Sequence, residues 1–280
     1  MRAFRIAYDG HPFHGFQRQP TVPTVEDTLL QSIRALGIAP DDGLPPGYAA
    51  AGRTDAGVSA LAQTVGFLCP PWCSPAALNS ELPGSVRAWA RAPASPGFHA
   101  THDAVRRAYT YYLYAPEIDD GRAAAALAAL CGEHDFHNLT PDTDGTIRDL
   151  EGRLHRDGDF LVVRLAAEGF ARQLVRRVVS LVRAVGHGEP LGTVERVLAP
   201  GTLPGPEGIP PAPATPLVLD GVDYPGLSFV RDEEAAGSAR AVFDERAVDG
   251  LVRARVAGHV RDGVRADDGG ATDAGPSTTE

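Results

Sequence analysis

The run 170–185 constrains this chain most, because its apolar residues recur with helical spacing and demand a surface to lie against. Phe170, Leu174, Val178, Leu181 and Val185 share one face, and Arg172, Arg176 and Arg183 fall on another. Such a helix is stable when its apolar stripe is covered. The segments before it read as strands that can provide the cover. Residues 147–155 and 160–166 alternate on either side of Asp157-Gly158, a hairpin pattern. Residues 109–114 read as a further strand and 122–131 as an alanine-rich helix.

The first hundred residues repeat this mixture. Phe4, Ile6 and Tyr8 alternate as in a strand, and Thr24 is placed to cap a helix with Val25, Leu29, Ile33 and Leu36 on one face. Residues 65–68 read as a short apolar strand, Ser74-Pro75 as a cap and first helical position, and 86–92 as another strand. Residues 200–216 are rich in Pro and Gly and read as a loop, Leu217, Leu219 and Val222 as a last strand, and 240–261 as a helix. The class is α+β. The expected division is an α+β unit over 1–100, a second over 101–230, a helical extension over 231–265 and a disordered polar tail over 266–280.

No run of about 18 apolar residues is present, as a membrane-spanning helix needs, and 1–10 lacks the apolar stretch of a signal peptide. The expected location is the cytoplasm. Cys69, Cys73 and Cys131 are too few for a disulfide framework, and Cys69 and Cys73 lack the second pair that a zinc site takes. The net charge is −10, from 36 acidic residues and 26 basic ones that are all Arg. That excess suits a salt-rich cytoplasm. It does not suit general attraction to nucleic acid, so an RNA-binding protein of this composition needs a local basic site.

The segment Ala51-Gly52-Arg53-Thr54-Asp55-Ala56-Gly57-Val58 places a carboxylate among small residues. Glycines allow close approach of a substrate and permit φ > 0. Arg53 beside Asp55 would hold the carboxylate ionised, as a nucleophile or base requires. The alternative is a tight turn in which Asp55 bonds its own backbone. His99 with His102, or His134, Asp135 and His137, are possible metal ligands for a hydrolase, on a weak spacing.

This segment resembles the R-T-D-x-G-V signature of the TruA family of tRNA pseudouridine synthases. Other blocks agree in order. Tyr8-Asp9-Gly10 with Gly15-Phe16-Gln17-Arg18-Gln19 resembles Y-D-G … G-W-Q-R-Q, and residues 79–84 (Asn-Ser-Glu-Leu-Pro-Gly) resemble N-x-x-L-P. Phe98-His99-Ala100 with Arg107-Ala108-Tyr109-Thr110-Tyr111 resembles F-H-A … R-x-Y-x-Y. Residues 132–136, Val175-Arg176 and Asp223-Tyr224-Pro225 resemble later blocks. The chain departs from the family at Ser59, where His is usual, and at Phe16, where Trp is usual. The composition suggests an archaeal, halophilic branch.

The resemblance implies two similar α+β domains, with mixed or antiparallel sheets flanked by helices and an active-site cleft between them. It implies an isomerase without a cofactor or metal, turning uridines 38 to 40 of the tRNA anticodon arm into pseudouridine, and a homodimer that needs no membrane. Asp55 would be the catalytic carboxylate, attacking C1′, removing a proton from C2′ or adding to the uracil ring. Tyr109 would stack on uracil, Arg176 would pair with the carboxylate, Arg53 would grip the flipped nucleotide and Leu217 would line the pocket. Arg106, Arg107 and the arginines from Arg172 to Arg183 are candidates for phosphate contacts. An RNA-binding module without catalysis is the rival reading.

Overall fold

The structure, a computed structural model, describes residues 1–205 and 208–266. The stretch 267–280, expected to be a disordered tail, lies outside the described residues.

Strand β1 (Arg2–Tyr8) buries Phe4, Ile6 and Tyr8 on one side, as their alternation predicts. Helix α1 (Val25–Ala35) starts where Thr24 Oγ1 accepts the Asp27 amide at 3.2 Å, with Glu26 and Asp27 in its positive first turn. It covers the strand with Val25, Leu29 and Ile33. Strands β2 (Ala49–Ala50) and β3 (Ser59–Phe67) follow; β3 is longer than the 65–68 expected. Helix α2 (Pro75–Asn79) is capped by Ser74, and Asn79 makes paired 2.8 Å bonds to the backbone of Ala88 in β4 (Val86–Pro93).

The next elements are β5 (Arg106–Tyr114), α3 (Asp120–Leu130), β6 (Gly132–Asp135), β7 (Ile147–Asp157) and β8 (Phe160–Ala167). The β7–β8 hairpin turns at Gly158, whose φ of 55° favours glycine. Helix α4 (Leu174–Gly186) begins four residues later than its apolar spacing suggests, because Gln173 has φ 62° and the helix cannot extend back through it. Then come α5 (Gly192–Leu198), β9 (Leu217–Asp223) and β10 (Val230–Arg231).

Among the described residues the strands form one mixed sheet, ordered β10-β4-β1-β3-β9-β5-β8-β7-β6, with β2 also on β3. Strand β9 links its two parts. It runs parallel to β3 (Ser59↔Val218, Ala60↔Leu219) and antiparallel to β5 (Tyr111↔Leu217, Tyr109↔Leu219). One apolar core gathers around α1 and β1, the other around α3, α4 and β8. Residues Met1–Ala236 form one compact unit, and a second begins at Gly237. Helix α6 (Glu233–Ala266) is longer at both ends than the 240–261 expected. No helix among the described residues is long and apolar enough to cross a membrane.

Candidate active site

The turn carrying Asp55 lies between β2 and β3 and is fastened through its backbone and through Thr54. Gln63 Nε2 donates to Gly52 O at 2.7 Å, and the buried Tyr8 hydroxyl meets Thr54 Oγ1 at 2.8 Å. Phe16 N donates to Thr54 O, Gly57 N to Phe13 O and Val58 N to Asp55 O. Two glycines of the N-terminal block make this docking possible. A Cβ on Gly10 would lie 2.2 Å from Val58 O, and one on Gly15, at φ 100°, 2.9 Å from Thr54 O. Ser59 belongs to the same joint, its Oγ accepting the Gly10 amide at 3.0 Å. Phe16 is buried beside Tyr8.

The carboxylate of Asp55 pairs with Arg176, Nη1 to Oδ2 at 2.8 Å, across 121 positions of chain. The partner of the carboxylate is thus the distant Arg176 rather than the adjacent Arg53. Arg53 is exposed, and among the described residues the ion pair of Asp55 is with Arg176. Arg176 is not on a solvated helix face: its side chain is 15% exposed, with Nε on Ala212 O at 2.6 Å, while Ala212 N donates to Arg176 O. The Pro-rich stretch 208–216 therefore supports the site. It also takes the Tyr111 hydroxyl on Pro213 O and Arg177 Nη1 on Ile209 O. Nothing in its composition signals this role.

Tyr109 stands on β5 beside the pair. Phe170 packs edge-on against its ring, with centroids 5.2 Å apart at 89°. Burial pushes the phenol up to about 12; the Arg107 guanidinium draws it down and the Asp55 charge raises it again. Leu217 is buried at the start of β9 and lines the same cleft. The arginines expected at phosphate are largely engaged elsewhere. Arg106 pairs with Glu151 at 2.6 Å and approaches Asp223 at 3.9 Å. Arg107 donates to the carbonyls of Ala51 and Thr101 at 2.9 Å and of Glu168 at 2.5 Å. Arg172 pairs with Asp142.

The cleft holds about 1050 Å³, just above the roughly 300–1,000 Å³ range of small-molecule sites. Five arginines (Arg53, Arg107, Arg148, Arg172 and Arg176) line it against Glu26, Asp55 and Asp142, so a locally basic wall stands on an acidic protein. The four histidines weighed as metal ligands do not line this cleft. His99 stacks on His102, and His134 Nε2 lies 3.1 Å from Cys131 O. Among the described residues no three His, Cys, Asp or Glu are grouped to hold a metal ion.

Residues 126–225 match the family model described as tRNA pseudouridine synthase. Together with the relatives that follow, this match gives the class as pseudouridine synthase, an isomerase. The chain is 57% identical over 275 residues to "tRNA pseudouridine synthase A" of Haloarcula marismortui, covering 94% of this chain and all of that protein. It is 60% identical over 261 residues to the protein so named in Natronomonas pharaonis, covering 92% and 98%. A Methanothrix thermoacetophila protein of that name is 37% identical over 240 residues, covering 82% and 85%. The chain belongs to the tRNA pseudouridine synthase A family, and the first two relatives come from halophilic archaea.

Proposed function

We propose that this chain converts uridine to pseudouridine in tRNA, at positions 38 to 40 of the anticodon arm, with Asp55 as the catalytic carboxylate. The observation that carries the reading is the Asp55–Arg176 pair at 2.8 Å, next to Tyr109 in an arginine-lined cleft. The reaction breaks the N1–C1′ bond, turns the uracil and joins C1′ to C5. The C5 proton leaves to solvent and N1 gains one. Arg176 holds the carboxylate in place through their ion pair, so that Asp55 is positioned to act at C1′, at C2′ or on the uracil ring. Reaching a stacked nucleotide requires extruding it. Arg53, exposed at the cleft, takes the flipped nucleotide's phosphate or its vacated place. Tyr109 stacks on the uracil and Leu217 supports the ring's edge.

In this reading residues 1–100 and 101–230 act as two similar halves with the cleft between them. The protein works in the cytoplasm as a homodimer that holds one tRNA, and it needs neither metal nor organic cofactor.

Tritium release from tRNA labelled at uridine C5 tests the proposal. Wild type releases tritium in the presence of a strong chelator. Asp55→Asn binds tRNA with similar affinity and releases none. Release by Asp55→Asn at the wild-type rate, or none from wild type, rejects the assignment; tRNA binding by an inactive wild type would leave an RNA-binding module.

A further inference from the structure

Cys69 and Cys73 have no part in the site described above. They bracket Pro70-Pro71-Trp72 just beyond β3, and β3 starts at Ser59, next to the Asp55 turn, so the whole strand lies between them and Asp55. The intervening turn is closed by Cys73 N donating to Pro70 O at 3.1 Å, and its two prolines fix two φ angles. One guanidinium gathers its ends. Arg2 Nη1 donates to Pro70 O at 2.7 Å, to Cys73 O at 2.9 Å and to Cys69 Sγ at 3.8 Å. The two thiols lie close enough to influence each other. The two sulfurs differ in access: Cys73 is fully buried, whereas Cys69 is partly open to solvent.

We propose that Cys69 and Cys73 form an oxidation site for peroxides, with Cys69 the attacking thiol and Cys73 the resolving one. The Cys69 thiolate attacks one peroxide oxygen and breaks the O–O bond. The other oxygen leaves as alkoxide or hydroxide and takes a proton, and Cys69 becomes a sulfenic acid. Cys73 sulfur then attacks the Cys69 sulfur, expelling hydroxide that leaves as water with the Cys73 proton. The two thiols are oxidised by two electrons to one disulfide, and one peroxide is reduced to an alcohol, or water, plus water. The turn between the two cysteines is already closed and its ends are gathered by Arg2, so little chain entropy is lost in the second step.

The surroundings favour this division. A hydrogen bond with Cys73 lowers the Cys69 thiol to about 6, with the charges of Arg2 and the Met1 ammonium helping against the cost of burial. Cys73 is pushed up by that same bond and by burial, which Arg2 and Arg91 only partly offset. Cys131 provides an internal control, since burial raises it and its sulfur only reaches Gly152 O at 3.9 Å.

The test treats the reduced full chain with hydrogen peroxide, alkylates the remaining thiols and maps the peptides. Two of the three thiols should be lost as a Cys69–Cys73 link within one chain, restored by dithiothreitol. Cys73→Ser should stop at a Cys69 sulfenic acid that dimedone traps. The pH midpoint of Cys69 alkylation should lie near 6 and rise in Arg2→Gln toward the usual thiol value of about 8.5. If Arg2→Gln fails to fold, the peptide map and the dimedone trap still decide. Survival of all three thiols, a link between chains or through Cys131, or a Cys69 midpoint no lower than that of Cys131 overturns the proposal.

Discussion

Arg107 holds three separate segments with one side chain: the approach to the Asp55 turn at Ala51, the loop at Thr101, and Glu168 just before Phe170. A planar guanidinium with five donors suits this; a lysine ammonium cannot span all three carbonyls at once. Bonds from charged donors are worth about 1.5–3 kcal/mol each, but Arg107 is partly exposed and water can replace some of them. Arg107→Lys is therefore expected to cost about 2 kcal/mol of stability, read as a lower urea midpoint. It should also slow tritium release more than it weakens tRNA binding, because the Asp55 and Phe170 walls would lose their common tie. Unchanged midpoint and rate would mean the three carbonyls are held by other means. The neighbours of Asp55 in sequence left a tight turn and a reactive carboxylate both open, and they did not indicate its ion-pair partner. Adjacency favours Arg53, whereas the ion pair is made by an arginine 121 positions away, oriented by the carbonyl of Ala212. The Arg176 assignment came from a family block, since local spacing alone suggests an exposed row.

Strands β5 and β9 are joined near the cleft by side chains as well as by their ladder. The Thr110 hydroxyl donates to Asp220 Oδ2 across the pair. Burial raises the Asp220 carboxyl above its ordinary range, and the Thr110 bond and the Arg164 charge only partly counter it. A raised acid keeps its proton longer when folded than when unfolded. Folding stability from this group thus falls as pH rises from the unfolded value of about 3.9 through the higher folded one. Asp220→Asn keeps an acceptor for Thr110 and removes the buried charge. Because the group keeps partial contact with solvent, screening limits the expected gain at pH 7 to ~1 kcal/mol or less. The gain should vanish below pH of about 4, where aspartic acid is also neutral; paired melts at the two pH values check this, and a loss at pH 7 would contradict it. Elements with a strong period or a cap were legible: β1 from Phe4, Ile6 and Tyr8, α1 from Thr24, and the β7–β8 hairpin from Asp157-Gly158. The start of α4 was not, because a left-handed Gln173 leaves no mark in an apolar pattern. Short β6 and β10 carry too few residues to show a period, and their pairing is decided by their neighbours in the sheet.

The charge of the whole chain sets two of its properties against each other. With 36 carboxylates and 26 arginines, unscreened repulsion opposes the compact state. Salt shortens its reach from about 30 Å at 0.01 M to about 3 Å at 1 M. Surface ion pairs such as Arg106–Glu151 weaken over the same range, but each is worth no more than ~1 kcal/mol. Excess like charge therefore governs the sign, and the melting temperature should rise with potassium chloride. A gain of about 1 kcal/mol corresponds to roughly 2–4 °C for a chain of this size. Under the proposed function the cleft arginines meet phosphate, and that contact weakens with salt because neutralised phosphates release counterions. Stability and tRNA affinity should then move in opposite directions, and tritium release should peak at an intermediate salt concentration. Thermal melts and filter binding over one potassium chloride series test both slopes. A flat melting temperature would remove the repulsion argument. An affinity that ignores salt would show that the arginine-lined cleft is not where RNA phosphate is held, whatever Asp55 does.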